Sequence, residues 1–106
     1  MKMKETFSYT TSEQELLLKI KKFWEEILLH TKKLAEVTDA SYETFLRYLK
    51  VDKFEEQKLV VLAPDDIAMR YVEKKYRNII EKALQQCTGT KISVLISTNV
   101  WFNVRQ

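Results

Sequence analysis

The chain has 106 residues, of which 45% are hydrophobic and 31% are charged, and its formal net charge is +3. A chain of this length forms one domain that buries about 65% of the surface its unfolded form would expose. No apolar run approaches the roughly 20 residues needed to span a bilayer, and the N-terminus lacks the apolar stretch of a secretory signal, so we predict a cytoplasmic protein. A single Gly excludes a Walker-type phosphate loop, and the mild charge falls short of the dense basic stripe typical of nucleic-acid binding.

The first predicted element is a long amphipathic helix over residues 12–34. Ser12 and Glu15 have the spacing of a capping box, in which each side chain accepts a hydrogen bond from a free backbone N–H at the helix start. Apolar side chains recur at steps of three, four or seven and predict a core-facing stripe. The members of this stripe are Leu16, Ile20, Phe23, Ile27 and Leu34.

A second, shorter helix and a β-hairpin are predicted next. The helix begins at Asp39 or Ser41, and four of its residues have the i, i+3, i+4, i+7 spacing of a buried face, namely Tyr42, Phe45, Leu46 and Leu49. Residues 50–54 and 58–63 are rich in β-branched and apolar side chains and are separated by three polar residues, which predicts a hairpin. Pro64 ends the second strand because its nitrogen carries no hydrogen to donate.

A third helix and a third strand complete the predicted domain. The helix covers residues 65–87, is capped by Asp65 and stops at Gly89. From Ile92 onward nearly every even position is apolar, which predicts a third strand that either is unusually long or has a second half that bends away or pairs elsewhere. Residues 6–11 also have strand-like chemistry, and we predict that this segment pairs with the end of the chain. The fold class is therefore α+β, with three helices and a small three-stranded sheet.

Five short motifs stand in order along the chain, and together they carry a resemblance to a known family. They are Phe23-Trp24, Ser41-Tyr42-Glu43-Thr44-Phe45, Ala63-Pro64-Asp65-Asp66-Ile67-Ala68, Tyr71-Val72-Glu73-Lys74-Lys75-Tyr76 and Thr88-Gly89. In this order and spacing, the region of about residues 23–96 resembles the N-terminal interaction domain (domain I) of the bacterial replication initiator DnaA. The resemblance implies the order α-α-β-β-α-β, similar to the K-homology fold, and a binding module.

On this basis we divide the chain into three parts. Residues 1–11 are an N-terminal extension, residues 12–97 a domain I-like interaction domain, and residues 98–106 a C-terminal strand extension or tail. The chain clusters no metal ligands, and no nucleophile has a base partner in the sequence, so we expect no metal, no cofactor and no catalysis.

The first candidate surface lies on the opening helix. Leu17, Trp24 and Leu28 widen its apolar stripe beyond what one core face requires, so we predict that they form an exposed apolar patch. The resemblance implies that this patch mediates self-association. The alternative is that Trp24 belongs to the core, as tryptophan often does in small domains.

The second candidate surface combines the second helix with the start of the third. It consists of Thr44, Phe45, Asp65, Asp66 and Ile67, where the resemblance implies contacts to helicase or regulatory proteins. The alternative is that Phe45 is buried and that the two acids only stabilise the helix start. Three tyrosines are expected in the core or at its boundary, with their hydroxyls at the rim: Tyr42, Tyr71 and Tyr76.

The predicted function is a protein–protein interaction module of DNA replication initiation. It would mediate self-association of the initiator, with itself or the full-length protein, and recruit the replicative helicase or initiation regulators. Two alternatives stay open. One is a phage, plasmid or stand-alone mimic that binds the initiator's partners, and the other is a K-homology-like domain with weak affinity for single-stranded DNA, although the Gly-x-x-Gly loop of such domains is missing.

Overall fold

The computed structural model describes residues 13–98 of the chain, in which five helices accompany three strands. The predictions for residues 6–11, for Ser12 and for the chain after Thr98 lie outside the described residues. The elements are α1 (residues 13–22), α2 (Trp24–Ala35), α3 (Asp39–Ser41, continued by a π-helix at Tyr42–Leu46), β1 (Lys50–Glu55), β2 (Lys58–Ala63), α4 (Asp66–Lys75), α5 (Arg77–Thr88) and β3 (Ser93–Thr98).

The first predicted helix consists of two helices, α1 and α2, that meet at Phe23. The backbone of Phe23 has φ −105° and ψ 18°, far from helical values, so α1 and α2 do not form one regular rod. Hydrogen bonds bridge the junction on both sides. The Phe23 N–H donates to the Lys19 carbonyl at 3.0 Å, and the Ile27 N–H donates to the Phe23 carbonyl at 2.9 Å.

The predicted third helix is divided in the same way, into α4 and α5, at Tyr76, where φ is −118° and ψ is −12°. Both of its predicted ends are confirmed. The Asp65 carboxylate accepts a hydrogen bond from the Ala68 N–H at 2.8 Å, which caps α4. Gly89 closes α5 with φ 78°, a left-handed conformation that glycine adopts without steric cost.

The second predicted helix, α3, begins where expected, but its cap is neither Asp39 nor Ser41. The Thr38 hydroxyl accepts the Ser41 N–H at 3.1 Å and therefore caps the helix. From Tyr42 the helix widens into a π-turn, in which the Arg47 N–H donates to the Tyr42 carbonyl at 2.9 Å. Such single π-turns are often found at functional sites.

The sheet has the order β1-β2-β3 and confirms the predicted hairpin. β1 and β2 pair antiparallel with a bulge between Val51 and Lys53, whereas β2 and β3 pair parallel, with Leu59 opposite Val94. Parallel neighbours need a long connection, and here α4 and α5 supply it.

One face of the sheet and the helices enclose a single hydrophobic core, which confirms the α+β class. Leu59 and Val61 of β2 are fully buried there, as are Ile80 and Leu84 of α5. The comparison of this fold with the K-homology fold stays a prediction. Within residues 13–98, no helix is long and apolar enough to cross a membrane.

Candidate interaction surfaces

The exposure predicted for Leu17, Trp24 and Leu28 is wrong. Trp24 is only 9% exposed, Leu28 is 2% exposed, and Leu17 is half-buried against the same core. The indole Nε1–H of Trp24 donates a 2.8 Å hydrogen bond to the carbonyl of Leu49, between α3 and β1, so the polar group of the buried ring has a partner inside the fold. The involvement of these residues in self-association stays a prediction without the exposed patch that motivated it.

The second predicted surface is built on the first two turns of α4. Ile67 is 78% exposed, the largest exposed fraction among the large apolar residues of the described chain. Tyr71 follows one turn later on the same helical face, and its ring stacks on Phe45 of α3 with 4.0 Å between centroids. The structure therefore links Ile67, Tyr71 and Phe45 into one surface, which we call the α4 patch.

Three polar residues of the same prediction have different surroundings. The Thr44 hydroxyl donates to the Ala40 carbonyl at 2.8 Å, within its own helix. Asp65 caps α4, so its carboxylate has a structural role. Asp66 is exposed in the first turn, where a negative charge is favourable to the helix dipole. Asp65 and Asp66 thus form a polar rim beside Ile67, whereas the Thr44 hydroxyl bonds within its own helix.

Tyr71 belongs to the α4 patch, whereas the sequence predicted a position in the core or at its boundary. Its hydroxyl accepts a hydrogen bond from Lys75 Nζ at 3.1 Å, and that ammonium also lies 5.3 Å from the centre of the Tyr71 ring. The hydrogen bond from Lys75 lowers the pKa of Tyr71 and raises the pKa of Lys75. The i, i+4 spacing from the exposed Ile67 is the sequence signal that identifies Tyr71.

Ion pairs and burial fix the other side chains of α3. Lys32 contacts Asp39, and the hydrogen bond between them lowers the pKa of that carboxyl. Glu43 pairs with Arg47 and raises the pKa of the guanidinium. Burial raises the pKa of Tyr42, whose ring is 8% exposed. The contact of Lys32 with Asp39 joins α3 to α2.

A third surface, absent from the sequence analysis, lies where α1, α2 and the end of α5 meet. It is a groove of about 430 Å³, which we call the α1 groove. The residues that line it are Leu16, Lys19, Ile20, Phe23, Glu26, Ile27, Cys87 and Thr88.

No cluster of three or more potential metal ligands occurs among residues 13–98.

Comparison with known proteins gives one family. Residues 21–86 match the model of the family described as DnaA N-terminal domain. The chain is also 36% identical over 75 residues to the chromosomal replication initiator protein DnaA of Leptospira biflexa serovar Patoc, in both strain Patoc 1 / Ames and strain Patoc 1 / ATCC 23582 / Paris. Each alignment covers 71% of this chain and 17% of the relative, so the chain spans a small part of the length of these relatives.

Proposed function

Since the chain belongs to the DnaA N-terminal domain family, we propose that it is a non-catalytic interaction module of DNA replication initiation that acts in the cytoplasm. It associates with itself or the full-length initiator and recruits the replicative helicase or an initiation regulator. The observation that carries the recruiting role is the 78% exposure of Ile67 beside a stacked pair of aromatic rings.

The α4 patch has the chemistry of a docking site. Full burial of an exposed isoleucine contributes about 1.5–3 kcal/mol. Apolar surface with a polar rim often marks a site of protein–protein interaction. The stacking of Tyr71 on Phe45 fixes the rings before a partner arrives, so little side-chain entropy is lost on binding. Asp66 supplies part of the polar rim that accompanies the apolar centre of an interface.

The proposal is tested by Ile67→Glu. The expected result is a loss of at least about tenfold in affinity for the purified replicative helicase, because a buried carboxylate lacks a partner in an apolar contact. Isothermal titration calorimetry measures the affinity, and far-UV circular dichroism confirms that the variant is folded.

The matched control is Leu29→Glu. Leu29 is a 49% exposed leucine of α2 that lines neither the α4 patch nor the α1 groove, so this variant should bind like the wild type. Equal helicase affinity of Ile67→Glu and wild type would remove the α4 patch from the proposal.

A further inference from the structure

The outer side of β3 is an open edge of the described sheet. β3 is the last strand in the order β1-β2-β3, and the Ser93 N–H donates to the Gln57 carbonyl at 3.3 Å, on the side of β2. Successive residues of a strand direct their backbone groups to alternate sides, so Val94, Ile96 and Thr98 direct theirs away from β2. In the part of the chain that the structure describes, no strand pairs with that side of β3.

A side chain from α5 covers only the first part of this edge. The Glu81 carboxylate accepts a hydrogen bond from the Val94 N–H at 2.8 Å. A charged group at an edge strand is one of the devices that block further pairing there. The backbone groups of Ile96 and Thr98 therefore form the part of the edge at which another strand can be added, by main-chain hydrogen bonds to an extended segment.

Two side chains of β3 lack a partner beside this edge. Leu95, on the sheet face opposite the core, is 49% exposed, and no other large apolar residue of the described strands is exposed. The hydroxyl of Thr98 lies on the core face, is buried, and has no hydrogen-bond partner among the described residues. Because buried polar groups are normally hydrogen-bonded, this hydroxyl indicates that a further polar group meets the end of β3.

Residues 6–11 have the composition and the location to fill the edge. In this segment Phe7 and Tyr9 alternate with serine and threonine, which is typical of a strand with one apolar face. The segment leads into α1, and Glu15, in the first turn of α1, lines a depression together with Thr90, which precedes β3. Six extended residues span about 20 Å, as β3 does, so a chain that starts beside Thr90 can run back along the whole of β3.

We propose that residues 6–11 form a fourth strand, which pairs antiparallel with β3 and closes the open edge. The pairing places Tyr9 opposite Leu95, where the tyrosine ring covers the exposed leucine. In the same register Thr6 is opposite Thr98, and a hydrogen bond between the two hydroxyls satisfies the buried one.

The closed edge determines which surfaces are left for other molecules. A strand with free backbone groups is a template for pairing with another chain. With residues 6–11 in place, no partner can add a strand to β3, so partners contact the helices instead. The proposal concerns a different surface from the α4 patch, and its failure would leave the proposed function untouched.

The first test is a disulfide between residues 9 and 95 in the full 106-residue chain, with Cys87→Ser to remove the single native cysteine. The backbone of Leu95 faces β2, so Leu95 and Tyr9 form a non-hydrogen-bonded pair with Cα atoms about 4.5 Å apart. This separation lies within the range that a disulfide bridges. Tyr9→Cys with Leu95→Cys should therefore oxidise to a disulfide within one chain, which peptide mass spectrometry detects.

The matched control is Ser8→Cys with Leu95→Cys, because Ser8 lies on the other face of the proposed strand. Its yield of intramolecular disulfide should be at least about tenfold lower, since the two Cβ atoms point apart. A yield for the Tyr9 variant no higher than that of the control would overturn the proposal. A disulfide that joins two chains would also overturn it, because the segment on β3 would then belong to a second copy.

The second test is Ser8→Pro, followed by amide hydrogen exchange. In the proposed register Ser8 and Ile96 exchange two backbone hydrogen bonds, and proline removes the donor of one of them. The Ile96 amide should therefore exchange at least about tenfold faster in Ser8→Pro than in the wild type. Ser8→Ala keeps the N–H and should leave the rate unchanged.

The Val61 amide, in the central strand β2, is the internal reference for this measurement. It should exchange at the wild-type rate in both variants, because the core does not depend on the added strand. An Ile96 amide that exchanges equally fast in Ser8→Pro and in the wild type would overturn the pairing.

Discussion

At the scale of single residues, Trp24 shows how apolar side chains outside the main stripe of a helix are buried. Leu17, Trp24 and Leu28 lie off the main stripe of the opening helix, yet all three contact the core. The reason is a contact that local periodicity does not encode. The indole N–H reaches the Leu49 carbonyl, 25 residues away along the chain, so the side of α2 that carries Trp24 is covered by the segment between α3 and β1.

Trp24→Ala should therefore destabilise the fold by about 3–5 kcal/mol, the usual cost of emptying a large core site. Trp24→Phe should cost about 1–3 kcal/mol, because it leaves the Leu49 carbonyl without its donor. Urea unfolding followed by circular dichroism measures both. Leu18→Ala is the control and should stay within about 0.5 kcal/mol of wild type, since Leu18 is 66% exposed. A Trp24→Ala variant as stable as wild type would show that the ring contributes nothing to the core.

The part of the α4 patch that lies at a helix start was predictable from the sequence. The part that depends on packing between two helices was not. Ile67 and Phe45 are both present in the sequence prediction. Their connection is Tyr71, and the 4.0 Å stacking that joins it to Phe45 depends on how α3 packs against α4. No motif spacing specifies the separation of two rings on different helices, so the prediction contained Ile67 and Phe45 but not Tyr71, which joins them.

At the scale of elements, the residues at which α4, α5 and the hairpin strands begin or end were predictable, because short-range chemistry determines them. Asp65 and Gly89 form the predicted cap and stop, and the hairpin strands begin and end within one residue of expectation. The interruptions at Phe23 and Tyr76 were not predictable, since neither position is Gly or Pro, the residues that signal a break. Tyr76 is 4% exposed, and its ring meets Tyr71 edge-on at 5.8 Å, so tertiary packing surrounds that interruption.

The turn between β1 and β2 contains backbone strain that substitutions should relieve. Glu56 and Gln57 connect β1 to β2 with φ values of 53° and 64°, in the left-handed region that non-glycine residues avoid. Two-residue turns of this kind favour Asn-Gly, so the double change Glu56→Asn with Gln57→Gly should stabilise the protein by about 1–2 kcal/mol. The increase in the urea midpoint measures this effect. Glu56→Ala with Gln57→Ala is the control and should give no gain, because alanine has the same left-handed penalty. A lower midpoint for the Asn-Gly variant would contradict the strain argument.

At the scale of the whole molecule, the parallel pairing of β2 with β3 holds distant parts of the chain together. It joins Lys58–Ala63 to Ser93–Thr98 across both α4 and α5, and α2 packs against α5 on the same core. The alternation of apolar residues indicated three strands and an α+β domain. The strand order and the parallel pairing of β3 depend instead on which faces of the sheet the helices cover. The apolar pattern of a single strand does not contain that information.

Because α2, α5 and the sheet share one core, the domain should unfold as one cooperative unit. Trp101→Phe leaves Trp24 as the single tryptophan, so fluorescence reports the environment of α2 while far-UV circular dichroism reports all helices together. The two urea transitions should coincide in midpoint and slope, since the Trp24 ring cannot leave the core without breaking its bond to Leu49 and exposing α5. A fluorescence transition at lower urea than the circular dichroism transition would mean that α1 and α2 detach first. In that case the α1 groove would open independently of the α4 patch, and the two surfaces would belong to separately stable parts of the domain.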